Sequence, residues 1–448
     1  MFARFLFIAS AIVECYNETI EIYRNEVLFM AKLDLLKGMK VVDFSSYIAA
    51  PTCAKLLGEY GAEVIRIEPK ISDSVRFVAS QVYGCTDGTN PLYDVINGNK
   101  RQICLDTRSP EGKEVLHRLI ADADVFVSNL REAQAKRQGI DFETLHAKYP
   151  KLVYANVTGY GDKGISVGKP GFDATAYHNR SGLSYAALAA GSEPSLPYAG
   201  LGDIPTGTYL ALGVLAAYIK AQRTGVGDFV SVSLYGAGMW SAVTPIVFAQ
   251  EPYNDKMPKS RENSIGLGRH YKSADGRWFI VNSGNWEKDW PPFAAAMGVD
   301  PALVEKTNQH LKTLPHIPAM RPWFEELFQS KPYAYWDELL TKLDIAHELC
   351  MDFKEIVSDP VAISADLLQE MHYDYTDATP RIVRSPAHFR LAGVPDTTPA
   401  HTVGEDTLDI LQEYGYSEEE IAGLKAKKAV GMAGDPDVYN RKWRSKFG

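Results

Sequence analysis

The sequence predicts an α/β fold with a parallel sheet. From Met39 onward, short β-rich runs alternate with helical patterns of the length that βαβ units require. The length of 448 residues also exceeds what a single core usually supports, so two domains are expected.

Taken in order, Lys40–Phe44 reads as a strand, residues 51–60 as a helix ending at Gly61, and Glu63–Glu68 as a second strand. Residues 102–105 make a third strand. Ser109 as N-cap, with Pro110 at the first helical position, opens a helix to about residue 123. Residues 124–127 and 152–157 are further strands. The Ala- and Leu-rich residues 205–221 form a long helix. The turn Thr224-Gly225-Val226-Gly227-Asp228 leads into the strand Phe229–Ser233, which closes a large domain expected over residues 30–250. Residues 251–270 read as a linker, with little apolar periodicity over 251–263. A small domain is expected over 271–385, opening with a hairpin whose turn is Ala274-Asp275-Gly276-Arg277 and continuing helical from 286 to 369. Four prolines make residues 379–402 extended. An amphipathic helical pair over 405–428 lies in a C-terminal segment, 386–448, that returns to the large domain.

Composition narrows the function. Hydrophobic residues are 46% and charged residues 23%, ordinary for a globular protein, and the net charge of −9 argues against a nucleic-acid partner. Five scattered cysteines (Cys15, Cys53, Cys85, Cys104, Cys350) have no CxxC pairing, which reads as reduced thiols of the cytoplasm and neither a disulfide framework nor a zinc site. The apolar run Phe5 to Val13 is too short to span a bilayer and has a weak targeting pattern. Residues 1–29 are therefore read as a non-native or dispensable extension, with Met30 opening the functional chain. No other segment is apolar enough to cross a membrane.

The first βα turn, Ser45-Ser46-Tyr47-Ile48-Ala49-Ala50, lacks the glycines that let backbone approach a pyrophosphate, and there is no P-loop. Glu68 stands where a dinucleotide fold places a ribose-binding acid, but without those glycines it reads as a solvated strand-end carboxylate. More informative is Ala199-Gly200-Leu201-Gly202-Asp203-Ile204-Pro205. Its glycines allow close backbone approach, and its acid precedes a helix whose positive N-terminus would keep the carboxylate ionised, as a nucleophile requires. The same pattern also describes a plain N-cap, and local chemistry does not choose between them. Asp173, after Lys169-Pro170-Gly171-Phe172, is a second acid with the same two readings. The histidines, His178, His270, His310 and His316 among them, are isolated and offer no metal pattern, and no GxSxG elbow marks a hydrolase.

Ordered blocks then add a resemblance. Leu36-Lys37-Gly38-Met39-Lys40-Val41-Val42-Asp43-Phe44, Ala50-Pro51, and Leu57-Gly58 followed by Gly61-Ala62-Glu63-Val64-Ile65-Arg66-Ile67-Glu68 resemble the opening of family III CoA-transferases. Asn99-Lys100-Arg101, Ser109-Pro110-Glu111-Gly112, Ala123-Asp124-Val125-Phe126-Val127-Ser128-Asn129-Leu130 and Gly159-Tyr160-Gly161 continue it. Gly202-Asp203 with Thr206-Gly207, and the ending Gly404-Glu405-Asp406-Thr407, complete a likeness over about residues 36–428. Tyr47-Ile48-Ala49-Ala50-Pro51, Lys148-Tyr149-Pro150-Lys151-Leu152-Val153 and Pro170-Gly171-Phe172-Asp173 look most like the 2-hydroxyacyl-CoA transferase branch, which acts on acids such as phenyllactate or 2-hydroxyisocaproate.

The resemblance implies a Rossmann-like large domain, a smaller α+β domain and an interlocked homodimer. It implies coenzyme A and acyl-CoA as substrates, a carboxylic acid as the other partner, and no permanently bound cofactor. Asp203 falls at the family's catalytic aspartate. Ser46, Tyr47, Ile48 and Ala49 correspond to its CoA-contact turn, and Leu105, Arg108, Asn129, Leu130 and Arg137 to further CoA contacts. Arg76 and Lys169 suit phosphate oxygens, Asp173 belongs to the same site, and backbone amides around Gly200 to Gly202 are expected to meet oxyanions. Pro69 stands where some members carry a basic residue on the adenosine phosphate, so Lys70 takes that part. Gly266-Leu267-Gly268 loosely resembles the family's glycine lid. Ile48 replaces a polar glutamine of the oxalate branch, which disfavours oxalate. An α-methylacyl-CoA racemase shares these landmarks but needs a histidine where Phe172 stands; an inactive CoA-binding scaffold is the remaining alternative.

Overall fold

A computed structural model of the chain describes residues 33–439, apart from 86, 187, 189–190, 196, 254–266 and 309–316. The expected N-terminal extension, most of the expected linker, Gly266, His310 and His316 lie outside the described residues.

Among these residues the main sheet has seven strands. In chain order they are β1 (Lys40–Phe44), β2 (Glu63–Glu68), β3 (Arg101–Leu105), β4 (Val125–Ser128), β5 (Val153–Thr158), β6 (Phe229–Ser233) and β7 (Val430–Gly431). The spatial order is β7-β3-β2-β1-β4-β5-β6. Every pairing is parallel except β7 with β3, where Val430 faces Leu105 and Gly431 faces Cys104. β4 is buried throughout, and β1 and β5 nearly so. Parallel strands covered on both faces need such continuous apolar runs, and this is why they were visible in the sequence.

Three helices position the site: α1 (Ala49–Glu59), α4 (Glu132–Gln138) and α6 (Asp203–Thr224). α1 and α6 pack closely, and a Cβ on Gly207 would lie 2.3 Å from the Ala49 carbonyl oxygen, so that contact admits only glycine. A single apolar core joins Val42, Ile65, Ile103 and Phe126 of the strands to Leu116 and Ile120 of the helix Pro110–Ala121. Ile410, Leu411 and Leu424, from the expected C-terminal helical pair, belong to the same core.

The chain forms two compact units. One holds the chain up to Arg180, Tyr198–Trp240 and the chain from Ile363 onward. The other comprises Ser181–Pro197 and Ser241–Ala362. Its antiparallel sheet contains Gly268–Lys272, Trp278–Asn282 and His347–Leu349, and the first two are joined by the predicted hairpin turn. Tyr271, Phe279, Trp290, Phe293, Phe324, Phe328 and Trp336 dominate its core, with Val281, Leu340 and Ile345 packed among them. Among the described residues no helix is long and apolar enough to cross a membrane.

Candidate active site

The strand order places β1 beside β4, although the chain runs outward from β1 through β2 and β3 before returning. This is a topological switch point, where an open α/β sheet leaves a crevice at the carboxyl ends of its strands. The predicted turn Ser46-Tyr47-Ile48-Ala49 leaves β1 at this crevice. Asn129, just after β4, clamps it: the Ser46 N–H donates to Asn129 Oδ1 at 3.1 Å, and Asn129 Nδ2 donates to the Ser46 carbonyl at 2.9 Å. Tyr47 adopts a φ of 65°, a left-handed conformation that is rare for a bulky side chain. Its N–H donates to Asp73 Oδ2 at 2.9 Å, which helps hold that conformation. Ile48 and Ala49 are buried, and the Leu130 N–H donates to Ser128 Oγ at 3.1 Å.

Behind the turn lies a cluster of buried ions. The Arg66 guanidinium donates to Asp43 at 2.9 Å, Glu68 at 2.9 Å and Asp73 at 2.8 Å. Lys100 donates to Asp43 and to the Pro51 carbonyl, both at 2.8 Å. Burial pushes Asp43 and Glu68 up, but the neighbouring cations outweigh it and hold both below the ordinary carboxylate range. Glu68 is therefore not the solvated strand-end acid the sequence suggested; it is buried and ion-paired. Arg76 sits in this cluster too, donating to Glu68 at 3.1 Å and to the His401 carbonyl at 2.8 Å, with its guanidinium 4.0 Å from the centre of the Tyr93 ring.

Asp203 contrasts with this. α6 begins at Asp203 with Gly202 as its N-cap, so the N-cap reading of Asp203 does not hold. The carboxylate is half-buried, and among the described residues no hydrogen bond or ion pair reaches it. Burial and the nearby Asp173 push it up from 3.8 to about 7, so the helix terminus does not keep it fully ionised as expected.

Asp173 opens a π-helix, Asp173–Arg180, and is buried. It does not cap its own helix. Instead Oδ2 accepts the Gly200 N–H at 2.8 Å and Oδ1 accepts the Gly202 N–H at 3.0 Å. Those two amides are thus engaged and do not stand open to an oxyanion, contrary to expectation. A Cβ on Gly202 would lie 2.4 Å from Asp173 Oδ1 and 2.2 Å from the Tyr177 ring, which makes glycine obligatory there. His178 Nε2 lies 3.4 Å from Asp173 Oδ1. His178, isolated in the sequence, reaches Asp173 at a spacing of five residues through the π-helix, which apolar periodicity does not reveal.

The turns meet through side chains. Tyr47 and Phe172, 47% and 56% exposed, form an edge-to-face pair with ring centres 5.6 Å apart. Ile48 Cδ1 lies 3.7 Å from where a Gly200 Cβ would be. Segments 46–49, 172–173 and 200–203 are thus brought together. Other predicted residues lie further out. Leu105 is buried at the end of β3, while Arg108 is exposed and donates to Asp106 at 2.8 Å. Thr107 donates to Gln138 at 3.3 Å, tying the Arg108 loop to α4, where Arg137 is exposed. Lys169 is exposed with its ammonium 5.0 Å from the centre of the Tyr160 ring, and Lys70 pairs with Asp437 at 2.9 Å.

The profile of the family described as CoA-transferase family III matches residues 36–407. The chain is 37% identical over 399 residues to (R)-2-hydroxy-4-methylpentanoate CoA-transferase of Clostridioides difficile, covering 88% of this chain and 99% of that one. It is 33% identical over 404 residues to cinnamoyl-CoA:phenyllactate CoA-transferase of Clostridium sporogenes, covering 89% and 97%. A solved CaiB/BaiF family protein from Brucella suis superposes with a TM-score of 0.70 at 23% identity, covering 86% and 100%, a likeness of fold.

Proposed function

The chain belongs to CoA-transferase family III and is a CoA-transferase, and from that premise we propose that it moves CoA reversibly between an acyl-CoA and a bulky 2-hydroxy, aromatic or branched carboxylic acid, with Asp203 as the nucleophile. The observation that carries this reading is the Asp203 carboxylate, half-buried, unpaired among the described residues, and directly after the Gly200-Leu201-Gly202 turn that Asp173 holds and Ile48 approaches. A carboxylate raised toward neutral pH is also more basic, hence a better nucleophile once ionised.

The chemistry balances without an energy source. Asp203 attacks the donor thioester carbon, forming a mixed anhydride and expelling CoA thiolate. The thiolate attacks the aspartyl carbon of that anhydride, giving an aspartyl-CoA thioester and the free donor acid. The acceptor carboxylate attacks this thioester and again expels thiolate. The thiolate then takes the new acyl group and regenerates Asp203. One thioester is exchanged for another, so no ATP is consumed.

For CoA itself we assign Ser46, Tyr47, Ile48 and Ala49, with Asn129 and Leu130, to the crevice, and exposed Arg108, Arg137 and Lys169 to phosphate oxygens. Leu105 shapes the end of β3, and Arg76 supports the turn through Glu68 and its neighbours. Tyr47 and Phe172, with Ile48 buried behind them, present apolar surface where a bulky acyl group gains roughly 1.5–3 kcal/mol on burial. The names of the two curated relatives point to the same class of acids. Phe172 cannot move a proton, which disfavours racemisation. We place the protein in the cytoplasm as an interlocked homodimer. Exposed Leu212, Ile219 and Trp240 on the larger unit would be covered in such an assembly, and light scattering tests it.

The test of substrate class is incubation with an acyl-CoA donor and phenyllactate, 2-hydroxyisocaproate, cinnamate, acetate and oxalate, with new thioesters identified by mass spectrometry. Preference for the first three is expected, and preference for acetate or oxalate contradicts it.

A further inference from the structure

We propose that Asp173 is the positioning residue for the nucleophile: its two carboxylate oxygens lock the Gly200-Leu201-Gly202 turn and so set the place of Asp203. The inference rests on Asp203 being the acyl acceptor.

Three observations carry it. Both oxygens are committed to backbone N–H groups two residues apart, at 2.8 and 3.0 Å, immediately before Asp203, and Gly200 reaches the required backbone with a φ of 90°. The clamp is tightly built, because Asp173 Oδ1 and the Tyr177 ring together fill the space of a Gly202 side chain. Finally, Asp173 lies on a π-helix, a rare geometry that recurs at functional sites and here brings Asp173 and Tyr177 to Gly202 and His178 to Asp173.

The ionisable surroundings make the clamp more than a brace. Asp173 is the charged group that acts on Asp203, and His178 is the one that acts on Asp173. α1, packed along α6, presents Thr52 to Gly207, while its own charges, Lys55 and Glu59, pair with each other. Asp173 thereby couples position to protonation. Its hydrogen bonds hold the turn, while its charge adds to burial in pushing Asp203 up.

The test is Asp173→Asn in the full chain. The amide is isosteric, but its Nδ2 faces one of the two N–H donors, so one bond is lost and the charge is removed. A displacement of the nucleophile near 1 Å predicts a fall in kcat of about 10- to 100-fold. KM for the acyl-CoA should change less than about threefold, because the CoA crevice is untouched. The acidic limb of kcat/KM should move down from its wild-type position. Wild-type kcat with an unmoved limb overturns the proposal. So does a loss of kcat with lowered thermal stability but an unmoved limb, which marks a merely structural residue. Should the variant fail to fold, amide hydrogen exchange on the wild-type protein decides: protected Gly200 and Gly202 amides support the clamp, and exchange at the rate of an open loop overturns it. Asp203→Ala separates the two ideas. Transfer that survives that substitution defeats the nucleophile reading, whereas a dead Asp203→Ala beside a wild-type-like Asp173→Asn defeats only the positioning role.

Discussion

Two groups of buried or half-buried acids in this molecule are driven in opposite directions by their surroundings. Asp43 and Glu68, at the carboxyl ends of β1 and β2, are almost fully buried, yet each meets Arg66 together with Lys100 or Arg76 and is held ionised. Asp203 is less buried, meets no cation among the described residues, and faces another carboxylate. Burial pushes all three up; two cations reverse the sign for Asp43 and for Glu68, and Asp203 has none to reverse it. The first group fixes a strained turn through Asp73 and Tyr47; the second keeps a reactive acid poised near neutrality. One is architecture and the other is chemistry.

Asp203→Ala should lower CoA transfer by at least about a thousandfold, since a covalent nucleophile has no substitute, while the ion cluster and the fold remain intact. Retained activity above about 1% with an unchanged melting curve would put the chemistry elsewhere. The converse is Arg66→Met, which leaves Asp43, Glu68 and Asp73 without their shared guanidinium. Stranding buried charges in this way should cost about 3–5 kcal/mol in urea unfolding. A loss below about 1 kcal/mol would show that the cluster does not hold the turn.

A smaller effect is expected on selectivity. Phe172→Ala removes one ring of the exposed aromatic pair and should reduce kcat/KM for phenyllactate about tenfold while leaving acetate unchanged. Equal losses for both acids would show that the ring positions the backbone instead of the acyl group.

The smallest effect is on stability against pH. The raised Asp203 contributes stability that is full below its ordinary 3.8 and is lost as pH rises through about 7. The depressed Asp43 and Glu68 act in the opposite sense, with stability present above the ordinary carboxylate range and lost on strong acidification. Melting curves from pH 4 to 8 should therefore differ between wild type and Asp203→Asn by a slope that runs downward in the wild type. An identical profile would contradict the raised ionisation of Asp203.

The sheet was legible because strands buried on both faces leave apolar runs that local pattern detects, as Val125–Ser128 and Val153–Thr158 do. The two-residue strand Val430–Gly431 was not, since its signal is a pairing with Leu105 and Cys104 from far away in the chain. At the site, Gly200-Leu201-Gly202-Asp203 announced a close turn before a helix, but which residue capped that helix depended on a difference of one position. Glu68 misled because nothing beside it in sequence reveals that Arg76 folds back onto it. Asp173 and His178 misled for a related reason: the meeting of each with its partner depends on a π-turn and on a loop 27 and 29 residues away, neither of which leaves a periodic trace.

If Asp203 is the acyl acceptor, it carries CoA as a thioester during turnover. Incubating the protein with an acyl-CoA, quenching with hydroxylamine and mapping peptides by mass spectrometry tests it directly. A thioester on Asp203 should be trapped as an aspartyl hydroxamate, formed only when acyl-CoA is present and absent from Asp203→Ala. A hydroxamate at Asp173 or another carboxylate, or continued turnover with Asp203 unmodified, would show that Asp203 is not the nucleophile.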